Sequence, residues 1–271
     1  QVNSIGHPQT SGSKNMDYYI TFKPKEIEDS DKFFSERLIK MSRIPMNYSM
    51  PKATNSTFDI ASLNILKDDF IIGLPHTLFK YHPGFDDVLD QILEEIPHAR
   101  FLFFEGLKKH HLNALLSRWE QNSKSILKRT IICPRVKFSD YLKISKRFDI
   151  VLDTFYFGMG NTFFQAMALG IPVVTLLSDQ PRGATVSAGY KQMGIVNPPI
   201  ANSPKEYISI SKKLAFDNSY RENISNQILL KSKDHLFNDN DIYKQYIDFF
   251  QKSLEAAYKK ELLPKNWEPI Q

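Results

Sequence analysis

Residues 149–175 have the sequence DIVLDTFYFGMGNTFFQAMALGIPVVT, which carries the clearest structural signal in the chain. A short apolar run is followed by a loop containing Gly158 and Gly160, then by a helix-forming segment, and finally by Gly170 and a second apolar run. Glycine residues allow a sharp change of direction and a close approach of the backbone to a ligand. The stretch therefore predicts a strand, a glycine loop, a helix and a second strand.

The start of the predicted helix is a candidate anion site. Its free N–H groups lie near Asn161 and Thr162, and the helix dipole favours negative charge there. Thr162 adds a hydroxyl donor, and Gln165, three residues further on, faces the same side of the helix. A glycine loop of this kind also occurs as an ordinary strand-to-helix turn, so the motif alone leaves both interpretations open.

The middle of the chain alternates short apolar runs with amphipathic stretches. Continuous apolar runs are typical of strands buried on both faces, and their alternation with helices favours a doubly wound parallel sheet. Ligands bind such sheets beyond the carboxyl ends of the strands. The predicted strands cover residues 70–74, 100–104, 130–133, 149–152 and 172–177, and the predicted helices cover residues 85–95, 108–121, 139–146 and a stretch from 161.

The two ends of the chain are less regular. Residues 44–58 contain two prolines among polar residues and predict a linker, and residues 261–271 predict a loosely held tail. The remaining predictions are a strand at 16–22 and helices at 31–40, 204–216, 219–231 and 241–258.

Composition indicates a globular protein that buries a sizeable core, since 42% of its 271 residues are hydrophobic and 24% are charged. The formal charge of +5 comes from 35 basic and 30 acidic residues with no long basic block, so nothing favours nucleic-acid binding. The basic excess suits a diphosphate-bearing substrate and equally suits an ordinary solvated surface.

Cys133 is the single cysteine, which excludes an intrachain disulfide and favours a reducing, cytoplasmic setting. Its apolar neighbours predict a small core residue rather than a nucleophile. No apolar stretch approaches the roughly 18 residues that span a bilayer, so we expect no membrane span. The first residue is Gln1 rather than Met, and we expect the chain to begin partway through a larger catalytic region.

The stretch 149–175 resembles the donor-site motif of GT-B glycosyltransferases. More specifically, the chain resembles the family of protein O-GlcNAc transferases, which also includes their Spindly-like relatives and bacterial adhesin glucosyltransferases. Four further blocks follow the family's order, so the resemblance covers nearly the whole chain. These blocks are residues 6–20, which begin GHPQTSG, residues 36–51, residues 78–80 with Pro83, and residues 235–238.

The resemblance implies roles for residues in these blocks and in two further matching stretches, residues 133–141 and 182–190. Lys80 would be the cation that neutralises the leaving UDP diphosphate, although a lone lysine is usually a surface residue. Tyr141 would stack on the uracil, and the loop with Arg135 and Val136 would contact the edge of the base. An aromatic residue at a helix start is otherwise more often a packing residue.

The resemblance also implies roles around the sugar and the diphosphate. Gly6 and His7 would lie on a loop over the sugar, where His7 either acts on the acceptor or only orients the loop. Phe79 and Phe157 would line the sugar pocket or belong to the core. Arg182 would help to hold the pyrophosphate loop.

Several features have plainer explanations or depart from the family. Ser178 or Asp179 could simply cap the helix that follows Arg182. Where the family has a second threonine the chain has Phe163, which removes a candidate phosphate ligand. Where the family has an acid that grips the ribose it has Gln165, which is uncharged.

The expected fold is therefore α/β of the GT-B type: a doubly wound, Rossmann-like parallel sheet with C-terminal helices and a remnant of the first lobe. We expect the end of the N-terminal lobe and the interlobe linker at residues 1–58, the UDP-sugar-binding lobe at 59–238, and a final helix and tail at 239–271. Helical repeats would lie upstream in the full-length parent.

The function implied by the resemblance is inverting, metal-independent transfer of GlcNAc or glucose from UDP to a protein side chain. The expected partners are a UDP-sugar and an acceptor protein or peptide, with no separate cofactor. A non-catalytic nucleotide-binding or scaffolding relative is the main alternative. A sugar epimerase of the same shape is a third, although its usual acidic constellation is not evident.

Overall fold

The computed structural model describes residues 1–23, 28–52 and 55–270 and contains two parallel sheets. The smaller sheet has the order β1-β2-β3, formed by Val2–Asn3, Tyr18–Phe22 and Arg37–Met41. Every residue of β2 is buried, because its two neighbours cover its edges and the rest of the chain covers its faces.

The larger sheet has six strands in the order β6-β5-β4-β7-β8-β9, all parallel. This order reverses direction between β4 and β7, which creates the crevice where ligands bind in doubly wound sheets. The α/β fold class predicted from the alternating pattern is therefore confirmed. The strands are β4 Phe70–Gly73, β5 Ala99–Phe104, β6 Thr130–Cys133, β7 Ile150–Leu152, β8 Val173–Leu176 and β9 Ile200–Ala201.

Nine α-helices flank the sheets within the described residues. The helices predicted at 204–216 and 241–258 have those bounds in the structure, and the helix expected after Arg182 is present as α6, whereas α3 and the two-residue strands were not predicted. The helices are α1 Asp86–Glu95, α2 Lys109–Asn122, α3 Lys124–Lys128, α4 Phe138–Ser145, α5 Asn161–Ala168, α6 Thr185–Met193, α7 Pro204–Phe216, α8 Asn218–His235 and α9 Asp241–Tyr258.

The core divides into two clusters, one on each face of the large sheet. Ile71 belongs to the cluster that includes residues of α5, α6 and β2, whereas Ile72 belongs to the cluster that includes residues of α1 and α7. Successive side chains of a strand point to opposite faces, so an apolar run supplies both clusters. Cys133 is fully buried in the first cluster, as predicted, and burial together with Glu105 raises its thiol pKa to about 11.

The helix predicted at residues 31–40 is wrong. A short 3-10 turn at Ser30–Phe33 is followed by strand β3, which pairs with β2 in parallel register from Arg37 to Met41. Five residues of β3 pair with the fully buried strand β2, and this pairing buries Leu38 and Ile39. Tertiary pairing of this kind readily overrides local helix propensity.

The tail was also predicted wrongly, because residues after α9 return to the small sheet. The backbone N–H of Leu263 donates to the Tyr18 hydroxyl at 3.0 Å, and the Arg37 guanidinium donates to the Leu263 carbonyl. Leu263 is buried, and the Trp267 ring packs 5.9 Å from that of Phe249. These contacts join the C-terminal segment to the first lobe.

The interlobe segment predicted at residues 44–58 connects the two sheets, and its residues 53–54 lie outside the described part of the chain. Tyr48 forms an isolated parallel bridge with Phe237, and Tyr246 donates a hydrogen bond to the Pro45 carbonyl at 2.9 Å. The segment is therefore held against the C-terminal helices. The lobe boundaries at residues 58 and 238 stay predictions.

Candidate active site at the sheet crevice

The loops that follow β4 and β7 flank the point where the sheet reverses its order. The first contains the 3-10 turn Leu78–Lys80, and the second contains Gly158 and leads into α5. Because β4 and β7 are neighbours in register, their carboxyl ends bring these two loops together.

Lys80 points at the glycine loop. Its Nζ donates a hydrogen bond to the Gly158 carbonyl at 2.7 Å and lies 4.3 Å from the centre of the Phe157 ring. Burial lowers the pKa of this ammonium, and the nearby Asp153 carboxylate opposes that effect. An ammonium has three donors, so two of its protons remain for an anion in the crevice.

Asp153 supports the loop from below and was not among the predicted site residues. One of its carboxylate oxygens accepts a hydrogen bond from the Met159 N–H at 2.7 Å, and the other accepts one from the Thr175 hydroxyl at 2.9 Å. Burial raises its pKa to about 7, against the opposing effects of these hydrogen bonds and of Lys80. A side chain at Gly158 would lie 2.8 Å from this carboxylate, which explains the glycine there.

The N-terminus of α5 opens onto solvent beside Lys80. Gly160 is the N-cap residue, and the space around it is open, since a Cβ placed there would meet no atom within 4 Å. No side chain caps this helix, and Asn161 is exposed while Thr162 is half-buried. The first N–H groups and the positive end of the helix dipole therefore remain available to an anion.

Phe163, the departure from the family's threonine pair, is a packing residue. Its side chain is fully buried, and its ring lies so close to Gly189 of α6 that a Cβ on that glycine would approach it to 2.1 Å. The side chain at position 163 therefore points into the core between α5 and α6 rather than toward the crevice.

A cleft of about 340 Å³ adjoins the start of α5 and brings together residues from two predicted blocks. The centre of the Tyr141 ring lies 5.0 Å from that of Phe104 and 6.3 Å from that of Phe138. The structure thus places the predicted base-contacting loop opposite the predicted phosphate helix. The lining residues are Phe104, Arg135, Val136, Phe138, Tyr141, Thr162 and Gln165.

Phe79 and Phe157 lie near Lys80, with ring centres 6.1 Å apart. Phe79 is 58% exposed, so it is a rim residue rather than a core residue. Phe157 is half-buried beneath the ammonium of Lys80. These aromatic faces border the mouth of the crevice.

Arg182 contacts the glycine loop through its backbone, because its carbonyl accepts a hydrogen bond from the Gly158 N–H at 3.0 Å. Its Nε is buried and has no hydrogen-bond partner among the described residues. The predicted capping by Ser178 or Asp179 is wrong: α6 begins after Ala184, and the Ser178 hydroxyl instead accepts from the Gln180 N–H at 3.1 Å.

The block that contains Gly6 and His7 forms a loop between β1 and β2. The Tyr19 hydroxyl donates to the His7 carbonyl, while Gly6 and the His7 residue are exposed. A second cleft of about 340 Å³ separates this loop, at Pro8, from the donor-lobe loop at Pro181. The structure therefore sets the block across a gap from the donor lobe.

The threonine and serine of this block bind a buried carboxylate. Thr10 Oγ1 donates to Glu36 Oε2 at 2.6 Å, and the Ser11 N–H donates to Glu36 Oε1 at 2.8 Å. Burial disfavours the charge of Glu36, but hydrogen bonds from Ser11 and Thr10 outweigh it and lower the pKa to about 2. Two blocks that were predicted separately are thus parts of one structural contact.

His76 is a second buried group that the sequence did not single out. Its Nε2 lies 2.7 Å from the Leu152 carbonyl, which ties the loop of Lys80 to the end of β7. Burial lowers its pKa to about 4, so the ring is neutral near pH 7 and Nε2–H is the donor. The sequence signal that could have identified His76 is its position just after the apolar strand β4, four residues before Lys80.

The sheet order and the crevice define a doubly wound α/β fold, and the comparison with solved structures shows that it is of the GT-B type. A mutant of the O-GlcNAc transferase of Thermobaculum terrenum superimposes with a TM-score of 0.73 at 21% identity, covering 96% of this chain and 48% of that one. A pneumococcal O-GlcNAc transferase solved with UDP and GlcNAc gives a TM-score of 0.56 at 13% identity, covering 88% of this chain and 46% of its own.

Sequence relatives confirm the resemblance to the O-GlcNAc transferase and Spindly-like family. A probable UDP-N-acetylglucosamine–peptide N-acetylglucosaminyltransferase SPINDLY of Hordeum vulgare is 24% identical over 267 residues, covering 96% of this chain and 27% of that protein. The UDP-glucose:protein N-beta-glucosyltransferase of Actinobacillus pleuropneumoniae is 24% identical over 231 residues, covering 84% of this chain and 36% of its own length. No family model matches the chain.

The chain thus spans about a quarter to a third of these two curated relatives. Across the described residues, no helix combines the length and apolar character required to cross a membrane.

Proposed function

We propose that this chain is the donor-binding part of a glycosyltransferase that moves GlcNAc or glucose from UDP to a protein side chain. The observation that carries the proposal is the position of Lys80, whose ammonium meets the Gly158 loop at the crevice, beside the open start of α5. A cation and a helix N-terminus that converge on one space suit a diphosphate.

The nucleotide would extend from this point into the adjoining cleft. The uracil would stack on Tyr141, and the backbone around Arg135 and Val136 would contact the edge of the base. The diphosphate would lie against Gly160, Asn161 and Thr162, where the free N–H groups are.

The sugar would occupy the opposite side of Lys80, bordered by Phe79 and Phe157. Arg182 would steady the loop under the diphosphate through its contact with Gly158. Gly6 and His7 would approach the sugar from the first lobe, across the gap that separates the two loops.

In the proposed reaction, an acceptor oxygen or nitrogen attacks C1 of the sugar while the bond from C1 to the diphosphate oxygen breaks. UDP leaves with the bonding electrons, and attack from the opposite face inverts the configuration at C1. Negative charge grows on the diphosphate during this step, and Lys80 and the amides of α5 stabilise it without a metal ion. The acceptor proton passes to a base, for which His7 is the candidate within this chain.

A non-catalytic, nucleotide-binding relative is the second candidate function. Gln165 favours it, because the amide lacks the charge of the acid that the family pattern has at this position. Phe163 does not favour this alternative, because its side chain packs against Gly189 instead of facing the crevice.

Both candidate functions require UDP binding, which calorimetry measures directly. Lys80→Ala should weaken UDP binding by about 10- to 100-fold, because a hydrogen bond to a charged group contributes about 1.5–3 kcal/mol. Lys67→Ala, which removes an exposed lysine outside the crevice, is the matched control and should leave binding unchanged. Equal affinities of both variants and wild type would contradict the site.

A sugar-transfer assay then separates the two functions. The longer parent protein should transfer GlcNAc or glucose from the UDP donor to an acceptor peptide, and Lys80→Ala in that protein should abolish transfer. UDP binding without any transfer by the parent would favour the non-catalytic alternative.

A further inference from the structure

Tyr48 of the interlobe segment reaches the nucleotide cleft from behind. The Gln165 side-chain amide donates a hydrogen bond from Nε2 to the Tyr48 hydroxyl at 3.4 Å. Gln165 itself lines the cleft together with Tyr141 and Thr162. A residue outside the donor lobe therefore contacts the polar edge of the cleft.

The Tyr48 ring is held firmly in place. It stacks on Phe164 with ring centres 4.5 Å apart and only 6° between the planes, and it meets the edge of Phe237 at 6.3 Å. Its carbonyl accepts a hydrogen bond from the Asn238 N–H at 3.1 Å. With the ring and backbone fixed, the hydroxyl is directed at the residue that follows Phe164 on α5.

The pair offers chemistry that matches a sugar hydroxyl. Because the amide donates to Tyr48 through Nε2, the amide oxygen of Gln165 remains an acceptor and the Tyr48 O–H remains a donor. A ribose hydroxyl can donate to this amide oxygen, which the bond from Nε2 to Tyr48 holds in place. A carboxylate at position 165 would offer acceptors only.

We propose that Tyr48 is a positioning residue that holds the Gln165 amide so that its free oxygen accepts a hydrogen bond from a ribose hydroxyl of the nucleotide. The proposal rests on the proposed function, in which this cleft holds UDP. It makes the interlobe segment part of the donor site and gives Gln165 a partner that compensates for its missing charge.

The test compares UDP with 2′-deoxy-UDP and 3′-deoxy-UDP by calorimetry, using wild type and Tyr48→Phe. Wild type should prefer UDP over at least one deoxy analogue. Tyr48→Phe keeps the stacked ring and should weaken UDP by roughly two- to tenfold, the range for a neutral hydrogen bond, while binding of that analogue is unchanged. The ratio of the two affinities should therefore fall toward one.

Tyr246→Phe is the matched control, since it removes a hydroxyl that also bonds the interlobe segment, at Pro45, but outside the cleft. It should leave the preference for UDP unchanged. The double variant Tyr48→Phe/Gln165→Glu has a carboxylate at position 165, which accepts from ribose hydroxyls without a positioning partner. Its preference for UDP over the deoxy analogue should therefore return.

The outcomes are distinct. If wild type binds UDP and Tyr48→Phe keeps the same ratio of affinities, the role of Tyr48 is wrong while the proposed function stands. If Tyr48→Phe and Tyr246→Phe lose the preference equally and both lower the melting temperature, Tyr48 is only structural and the proposal is overturned. If wild type does not bind UDP, both proposals fail.

Discussion

The loop after β7 and the loop after β1 were predicted from the same kind of sequence evidence, yet the structure gives them different characters. The β7 loop is held from below by Asp153 and from the side by Lys80, and a cleft opens beside it. The β1 loop is also anchored, by Glu36, but its Gly6 and His7 are exposed.

This difference shows that a matched motif can mark either a ligand site or the scaffold that holds one. In the β7 loop, the matched glycines and Thr162 border open space, whereas Phe163 belongs to the packing. In the β1 loop, Thr10 and Ser11 are occupied by Glu36, so they act as supports. Four substitutions test this division, from the largest expected effect to the smallest.

Phe163→Thr restores the family's residue and should lower the free energy of unfolding by about 3–5 kcal/mol, because it empties the space beside Gly189. UDP affinity, measured by calorimetry below the melting temperature, should not increase. Phe216→Thr, at a 57% exposed ring, is the control and should cost far less in urea unfolding. Tighter UDP binding by Phe163→Thr would show that position 163 faces the ligand after all.

Glu36→Gln should lower the free energy of unfolding by about 1.5–3 kcal/mol near pH 7, because two donors lose a charged acceptor. The pKa is about 2 in the folded state and ordinarily 4.5, so this stabilisation is complete above about pH 4.5 and is lost as the pH falls toward 2.

Urea unfolding at pH 7 and pH 3.5 measures the difference between wild type and Glu36→Gln, which should be smaller at the lower pH. UDP affinity should be unchanged, because the β1 loop is only a support. A large loss of UDP binding would place this loop in the nucleotide site.

Asp153→Asn should lower the free energy of unfolding by no more than about 1 kcal/mol at pH 5, because the protonated carboxyl group and the amide can both accept from the Met159 N–H and donate to Thr175 Oγ1. The pKa is raised from an ordinary 3.8 to about 7, so wild type loses stability as the pH rises between these values.

The gap between wild type and Asp153→Asn should therefore narrow from pH 5 to pH 8 in urea unfolding. Asp68→Asn, at an exposed carboxylate, should show no such trend. A gap that stays constant from pH 5 to pH 8 would mean that the buried carboxyl group is already ionised at pH 5.

His7→Ala should change stability by less than about 0.5 kcal/mol, as expected for an exposed residue, and should leave UDP binding unchanged. In the longer parent, transfer should fall if His7 acts on the acceptor. Full transfer activity would leave His7 as a loop residue only.

Much of the donor lobe could be predicted because its strands are largely buried on both faces, which produces short continuous apolar runs between amphipathic stretches. The same reasoning failed at residues 31–40, where pairing with β2 outweighs local propensity. It also failed in the tail, because the contacts of Leu263 with Tyr18 and Arg37 join residues more than 200 positions apart.

The residues of the site also divide into those that local sequence patterns identify and those that depend on long-range contacts. Lys80, Tyr141 and the start of α5 could be selected because they fall within matched blocks. Asp153 and Tyr48 also lie within matched stretches and His76 lies outside them, but none of the three was selected, since each acts through a partner distant in sequence: Thr175, Leu152 and Gln165.

The sequence by itself determined the alternation of strands and helices, the glycine loop and the candidate ligand groups, because these depend on local periodicity and backbone freedom. Only the tertiary structure decided that Lys80 meets Gly158, that Phe163 faces Gly189 and that Tyr48 backs the cleft. Those contacts depend on the order of strands in the sheet and on the path of the interlobe segment, which bring together groups that no local pattern connects.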